Sequence, residues 1–232
     1  MTVLVVTGTD TGVGKTITTA ALAVALGGTV AVYKPTQAGT EDGEGDVDVV
    51  RRLTGAPGSE GIRLADPMAP VAAARRAGVA LPDLAWHEGA VEALARAHDH
   101  VLVEGAGGLL VELDDDGRTL ADLAALLAAP VVVVCRSGLG TLNHTALTVE
   151  ALTRRGLPVA GIVLGSWPAE PTAVERGNRA HLERYGLLGA IPEHAGRLAP
   201  AEFRLRAPTW LKTMRSAVLP PPTDTRSAYS TG

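Results

Sequence analysis

Gly8-Thr9-Asp10-Thr11-Gly12-Val13-Gly14-Lys15-Thr16 is the stretch that decides the fold. Four apolar residues, Val3-Leu4-Val5-Val6, run into it, and a helical pattern from Lys15 to Leu26 follows it. A glycine-rich turn between a strand and a helix is the setting a phosphate loop requires. The glycines let the backbone wrap a phosphate chain, and free amides at the helix start point at the anion. Thr11, Gly12, Val13 and Gly14 supply that wrap. Lys15 reaches for the β- and γ-phosphate oxygens, and the Thr16 hydroxyl is placed to ligate magnesium. The usual spacing asks for Gly at position 9, whereas Thr9 stands there and Gly8 comes one residue earlier. A bland glycine-rich turn competes with this reading, but strand, glycines, Lys-Thr and helix all agree on a phosphate loop.

Outward from the loop, apolar runs of strand length alternate with longer helical patterns. Strands are read at Val3–Thr7, Thr29–Tyr33, Val101–Val103, Val131–Cys135, Val159–Leu164 and Leu188–Ile191. Helices are read at Lys15–Leu26, Asp46–Leu53, Leu81–Ala97, from the N-cap Thr119 to Ala128, Asn143–Arg155 and Thr172–Tyr185. Strands apolar on both faces suit a parallel sheet covered on each side. The fold class expected is therefore α/β: a doubly wound, mostly parallel sheet of the P-loop NTPase type with helices on both faces.

A length of 232 residues suits one such domain, expected over residues 1–219. Residues 220–232 open with three prolines and read as a disordered tail. Aromatics make up only 3% of the chain, so Ala, Val and Leu must fill the core. The net charge of −4 argues against a nucleic-acid binder and gives no attraction to an anionic membrane. Cys135 is the single cysteine, so no intrachain disulfide forms; inside an apolar run it reads as a small core residue. With neither a basic leader nor an apolar stretch of membrane-spanning length, the expected location is the cytoplasm.

Magnesium bound to phosphates usually takes one or two carboxylates as well. Glu104 ends the Val101–Val103 strand and precedes Gly105-Ala106-Gly107-Gly108, at the carboxyl edge where α/β sheets place their ligands. Its competing role is to cap the following turn. Asp46 and Asp48 lie in the polar stretch Glu41–Asp48, and the residues alone do not choose between them. Lys34 ends a strand and is held extended by Pro35. It reads equally as an exposed strand-end lysine or as a group that stabilises transferring charge.

The phosphate loop, Lys34-Pro35, Val103-Glu104-Gly105-Ala106-Gly107-Gly108 and Leu139-Gly140-Thr141-Leu142-Asn143-His144 together resemble the dethiobiotin synthetase family. The likeness runs from Met1 to about Pro192, and the displaced glycine is that family's form of the loop. The resemblance implies an ATP-dependent ligase that closes the ureido ring of dethiobiotin from 7,8-diaminononanoate and carbon dioxide. A carbamate and a carbamic–phosphoric mixed anhydride are the implied intermediates. It implies Lys15 and Lys34 as the catalytic cations and Thr16, Asp46 and Glu104 as magnesium ligands, with Asp48 the fallback. It further implies a homodimer in which Leu142 and Asn143 receive the substrate carboxylate near the interface. Taken alone, Asn143 and His144 read as a helix cap and a buried histidine.

The chain departs from the family pattern twice. Ala38 stands where many members carry a substrate-directed hydroxyl, leaving Thr36 or Thr40 to replace it, with Gly107 beside the substrate. Gly165-Ser166-Trp167 replaces a base-reading Asn, so base recognition falls to backbone groups near Gly165 and Pro192, and strict preference for ATP is not expected. Two rival readings are a cobyrinate-type amide ligase, which would need a glutaminase with a reactive cysteine, and a partitioning-type switch ATPase. The latter group carries an extra lysine at the start of its loop, where this chain has Thr7-Gly8-Thr9.

Overall fold

Consecutive apolar residues on one strand end up in two different cores. In the computed structural model, which describes residues 1–39 and 43–212, β1 (Thr2–Gly8) sends Leu4 and Val6 into one hydrophobic cluster and Val5 into another. The strand β5 (Val131–Cys135) does the same, with Val132 and Val134 on one side and Val131, Val133 and Cys135 on the other. Side chains alternate across a strand, so a sheet covered on both faces needs unbroken apolar runs.

The remaining strands are β2 (Val30–Ala38), β3 (Gly58–Leu64), β4 (His100–Gly108), β6 (Val159–Trp167) and β7 (Leu187–Pro192). They form one seven-stranded sheet in the order β3-β2-β4-β1-β5-β6-β7. Every neighbouring pair is parallel. One face is covered by α1 (Lys15–Ala25), α2 (Asp46–Thr54) and α8 (Pro200–Trp210), which pack on each other. The other core gathers residues from α4 (Leu84–Ala95), α5 (Leu120–Leu126), α6 (Thr141–Arg154) and α7 (Ala173–Leu182). The short α3 (Pro70–Ala77) closes the β3 edge with a small cluster of its own around Leu64, Ala73 and Ala74.

This is the doubly wound parallel sheet expected from the alternation, with three additions: β3, α3 and α8. Three strands also run well past their apolar stretches, among them β6, which reaches Trp167. β2 continues through Lys34-Pro35 to Ala38, and β4 through Glu104 to Gly108, because the parallel ladder with their neighbours goes on. β1 lies between β4 and β5, where the chain's connections diverge to opposite sides, so the ligand crevice opens at its carboxyl end. Thr40 and the tail from Pro220 lie outside the described residues.

Candidate active site

Four polar side chains from separate elements meet at that carboxyl edge. Thr16 begins α1, Lys34 lies on β2, Asp46 opens α2 and Glu104 lies on β4. Lys34 Nζ donates to Glu104 Oε1 at 3.1 Å and to the Gly105 carbonyl at 3.0 Å, and pairs with Asp46 Oδ2 at 2.5 Å. The Thr16 hydroxyl lies 2.7 Å from Asp46 Oδ1 and 3.0 Å from Glu104 Oε1. Lys34 and Glu104 are 3% and 1% exposed, so these charges are held out of water.

Burial works against the charge of Lys34, but Glu104 and Asp46 outweigh it and its pKa is raised. Asp46 mirrors this: burial pushes its carboxyl up, while Lys34 and the Thr16 hydroxyl bring it below the ordinary range. Lys15 is different. Burial, then the charge of Lys34, lowers its pKa, and Glu104, Asp46 and Asp10 offset only part. Its Nζ donates to the Asp10 carbonyl at 3.0 Å, folded back on its own loop.

The loop takes its shape from Gly12 (φ 70°) and Gly14 (φ 96°). Both values lie in the left-handed region that glycine adopts without a Cβ clash. Asp10 accepts from the Thr11 amide at 2.7 Å and pairs with Arg136, just beyond β5, which ties the loop to the next strand.

The oxygens suit a hard divalent cation. Thr16 Oγ1 has one proton to offer two carboxylate oxygens, so at any moment one contact is between lone pairs. Glu104 Oε2 is buried without a hydrogen-bond partner among the described residues. Two carboxylates and a hydroxyl, with the remaining positions left to phosphate and water, is a donor set magnesium accepts.

These groups floor a cleft of about 580 Å³. Of the residues singled out in the sequence, Thr11, Gly12, Gly14, Lys15 and Thr16 line it from the loop, and Lys34, Thr36, Asp46, Glu104 and Gly107 line the rest. The Thr36 hydroxyl is buried and has no hydrogen-bond partner among the described residues. Asp48 faces away, its carboxylate taken by Arg51 at 3.1 Å and Arg63 at 2.8 Å. Gly107 (φ 65°) lies across from Thr11.

Five residues of that set do not line the cleft: Val13, Gly165, Pro192, Leu142 and Asn143. The Val13 side chain is in the core. Gly165 is buried behind the loop, its carbonyl oxygen against Gly14. Pro192 pairs with Trp167 at the ends of β7 and β6. Asn143 and His144 are both exposed on the first turn of α6, so neither a cap nor a buried histidine describes them; the N-cap is Gly140 at φ 89°.

Sequence reasoning missed Gln37, which lines the cleft from β2, and the wall Pro67-Met68-Ala69-Pro70. The two prolines bracketing Met68 were the signal available for the wall. Cys135 is fully buried, and burial raises its thiol pKa, which suits a core residue and no nucleophile.

A family model described as an AAA domain matches residues 2–199. The chain is 56% identical over 211 residues to the ATP-dependent dethiobiotin synthetase BioD of Parafrankia sp. (strain EAN1pec), covering 88% of this chain and 89% of that one. It is 55% identical to the protein of the same name from Streptomyces avermitilis, covering 91% and 92%. The chain belongs to the dethiobiotin synthetase family. It is accordingly a nucleotide-binding ligase of biotin biosynthesis. Among solved structures, a ParA family ATPase from Chlorobium tepidum is similar, with a TM-score of 0.57 over 94% of this chain and 97% of that one. At 13% identity that likeness is one of fold alone. No helix among the described residues is long and apolar enough to cross a membrane.

Proposed function

We propose that the cleft joins 7,8-diaminononanoate and carbon dioxide to form dethiobiotin at the expense of ATP. One amine attacks carbon dioxide and, on losing a proton, becomes a carbamate. A carbamate oxygen attacks the γ-phosphorus as ADP leaves, giving a carbamic–phosphoric mixed anhydride. The second amine attacks the carbonyl carbon, phosphate leaves and the ring closes. The observation that carries this reading is the cluster of buried Lys34 and Glu104 with half-buried Asp46 and Thr16, beside Lys15. It offers concentrated charge and no nucleophile, and phosphoryl transfer asks for positioning and charge neutralisation above all. Lys15 leaves the Asp10 carbonyl for the β- and γ-phosphate oxygens, and Lys34 faces the transferring group. Thr16, Asp46 and Glu104 hold Mg2+, which neutralises phosphate charge when bound.

The diamine's carboxylate is received by Leu142 and Asn143 of a second copy. Both sit outside this copy's own cleft, and the neighbouring Leu139 is 88% exposed. The Thr36 hydroxyl takes over the contact that Ala38 cannot make. The base lies toward Gly165 and Pro192, where no amide side chain reads its edge, so discrimination among nucleoside triphosphates is weak. The enzyme works in the cytoplasm as a single domain.

Phosphate release should require both 7,8-diaminononanoate and bicarbonate, and CTP or GTP should support it within about tenfold of ATP, the weight of one lost hydrogen bond. Release that ignores the diamine would overturn the reaction assigned, and a strong preference for ATP would overturn the account of the base.

A further inference from the structure

We propose that Gln37 is a positioning residue for the cation site, holding the start of α2 so that Asp46, and not Asp48, presents its carboxylate to Thr16. This rests on Asp46 being a magnesium ligand, as argued above.

The first amides of a helix have no partner within it. The N-cap of α2 is Gly45, which has no side-chain oxygen to offer them. Gln37 supplies one from another element: its Oε1 accepts from the Asp46 amide at 2.7 Å. The opposite end of the same amide group donates to the Ala38 carbonyl at 3.1 Å, which fixes the plane of the side chain. Gln37 is only 7% exposed, so its bond to Asp46 has little competition from water.

Asp46 is therefore gripped at three points. Lys34 holds Oδ2, Thr16 touches Oδ1, and Gln37 holds the backbone. A cation entering between Thr16 and the carboxylates changes the two side-chain contacts. It leaves the backbone contact alone. Gln37 is thus the hold that persists through binding, and being neutral it adds no charge to compete with the ligands. Lys34 and Gln37 both lie on β2, so one rigid strand sets both ends of the Asp46 residue. On the far side, Arg63 of β3 holds Asp48 outward, which resists rotation of the helix start.

The test compares Gln37→Leu, similar in size but unable to accept a hydrogen bond, with Gln37→Glu, which keeps the acceptor oxygen. Asp46→Asn serves as the reference. Mg2+ is titrated in two ways: into protein with a non-hydrolysable ATP analogue, followed by calorimetry, and into the full reaction, followed by phosphate release. Gln37→Leu should raise the Mg2+ needed for half-saturation roughly tenfold in both titrations, as loss of an outer-shell partner of a metal ligand does. Gln37→Glu keeps the acceptor for the Asp46 amide but loses the donor to the Ala38 carbonyl and adds a charge, so it should bring back only part of that. Should Gln37→Leu fail to fold by circular dichroism, Gln37→Asn, whose oxygen is drawn back by one methylene, takes its place with the same shift expected. An unshifted Mg2+ dependence in the Gln37 variant, alongside a shifted one in Asp46→Asn, overturns the positioning role and leaves the ligand set intact. An unshifted Asp46→Asn overturns the ligand assignment and the role of Gln37 with it.

Discussion

Tyr33 and Lys34 are neighbours on β2, equally deep in the protein, and they face opposite sides of the sheet. Tyr33 is fully buried and shares a 2.6 Å hydrogen bond with His87 Nδ1 on α4. Burial pushes His87 down to about 4, which the charges of Asp83 and Asp114 do not offset, and burial raises the Tyr33 hydroxyl. Lys34, 3% exposed, stays charged because Glu104 and Asp46 face it. Burial by itself strips charge from a side chain; a buried charge survives only where counter-charges are built in. One face of β2 is therefore a neutral polar contact inside an apolar core, and the other is a charged cluster with a carboxylate oxygen to spare.

The sharpest way to break the contrast is Lys34→Met. It leaves Asp46 and Glu104 without their cation, and removing one partner of a buried ion pair costs about 3 kcal/mol or more. Turnover should fall by at least roughly a hundredfold, since the charge proposed to face the transferring group is lost. Urea unfolding with and without Mg2+ measures the first effect, and added Mg2+ should recover part of it by supplying positive charge to the folded state. Unchanged stability in the variant would mean that the cluster is not charged.

Next in size is the neutral face. Unfolded, His87 takes up a proton near its ordinary pKa of about 6.5. Folded, it refuses one until about pH 4. The unfolded state thus binds more protons between those values, so this contribution is fully present above pH 6.5 and is lost as pH falls toward 4, up to about 3 kcal/mol. Denaturant unfolding across that window should show the decline, and His87→Gln should flatten it. An equal decline in His87→Gln would assign the effect to other groups.

The smallest effect expected is that of Tyr33→Phe. It removes one neutral hydrogen bond and should cost about 1 kcal/mol of stability. The Michaelis constants and turnover should be unchanged, although the next residue along the chain is Lys34. A drop in turnover would show that the two faces of the strand are coupled.

Most of the sheet was legible because buried parallel strands are apolar without interruption, and the phosphate loop was legible because glycines, Lys15 and Thr16 are local in sequence. What escaped lies where those signals fade. β3, Gly-Ser-Glu-Gly-Ile-Arg-Leu, is an edge strand with little buried surface, so neither an apolar run nor a period of two marks it. α3 begins at a proline, and α8 contains Pro208 and has hardly any apolar stripe. In the site, Glu104 could be placed from its strand end, but the choice between Asp46 and Asp48 depends on Lys34 and on Arg63, far along the chain. Gln37 escaped because a glutamine acting through a backbone amide leaves no trace in residue type.

β6 and the phosphate loop press together where Gly165 meets Val13 and Gly14. A Cβ on Gly14 would lie 2.2 Å from the Gly165 carbonyl oxygen, and one on Gly165 would lie 2.0 Å from the Val13 carbonyl oxygen. The consequence concerns redesign. An engineer who grafts a base-reading side chain onto position 165 displaces the loop before gaining any selectivity, so grip on the triphosphate is lost first. Ser166, exposed one residue further on, is the position where a recognition group can be added without that conflict. On the proposed placement of the base, how tightly the nucleotide is held and which nucleotide is chosen are entangled at one backbone contact and separable at the next residue.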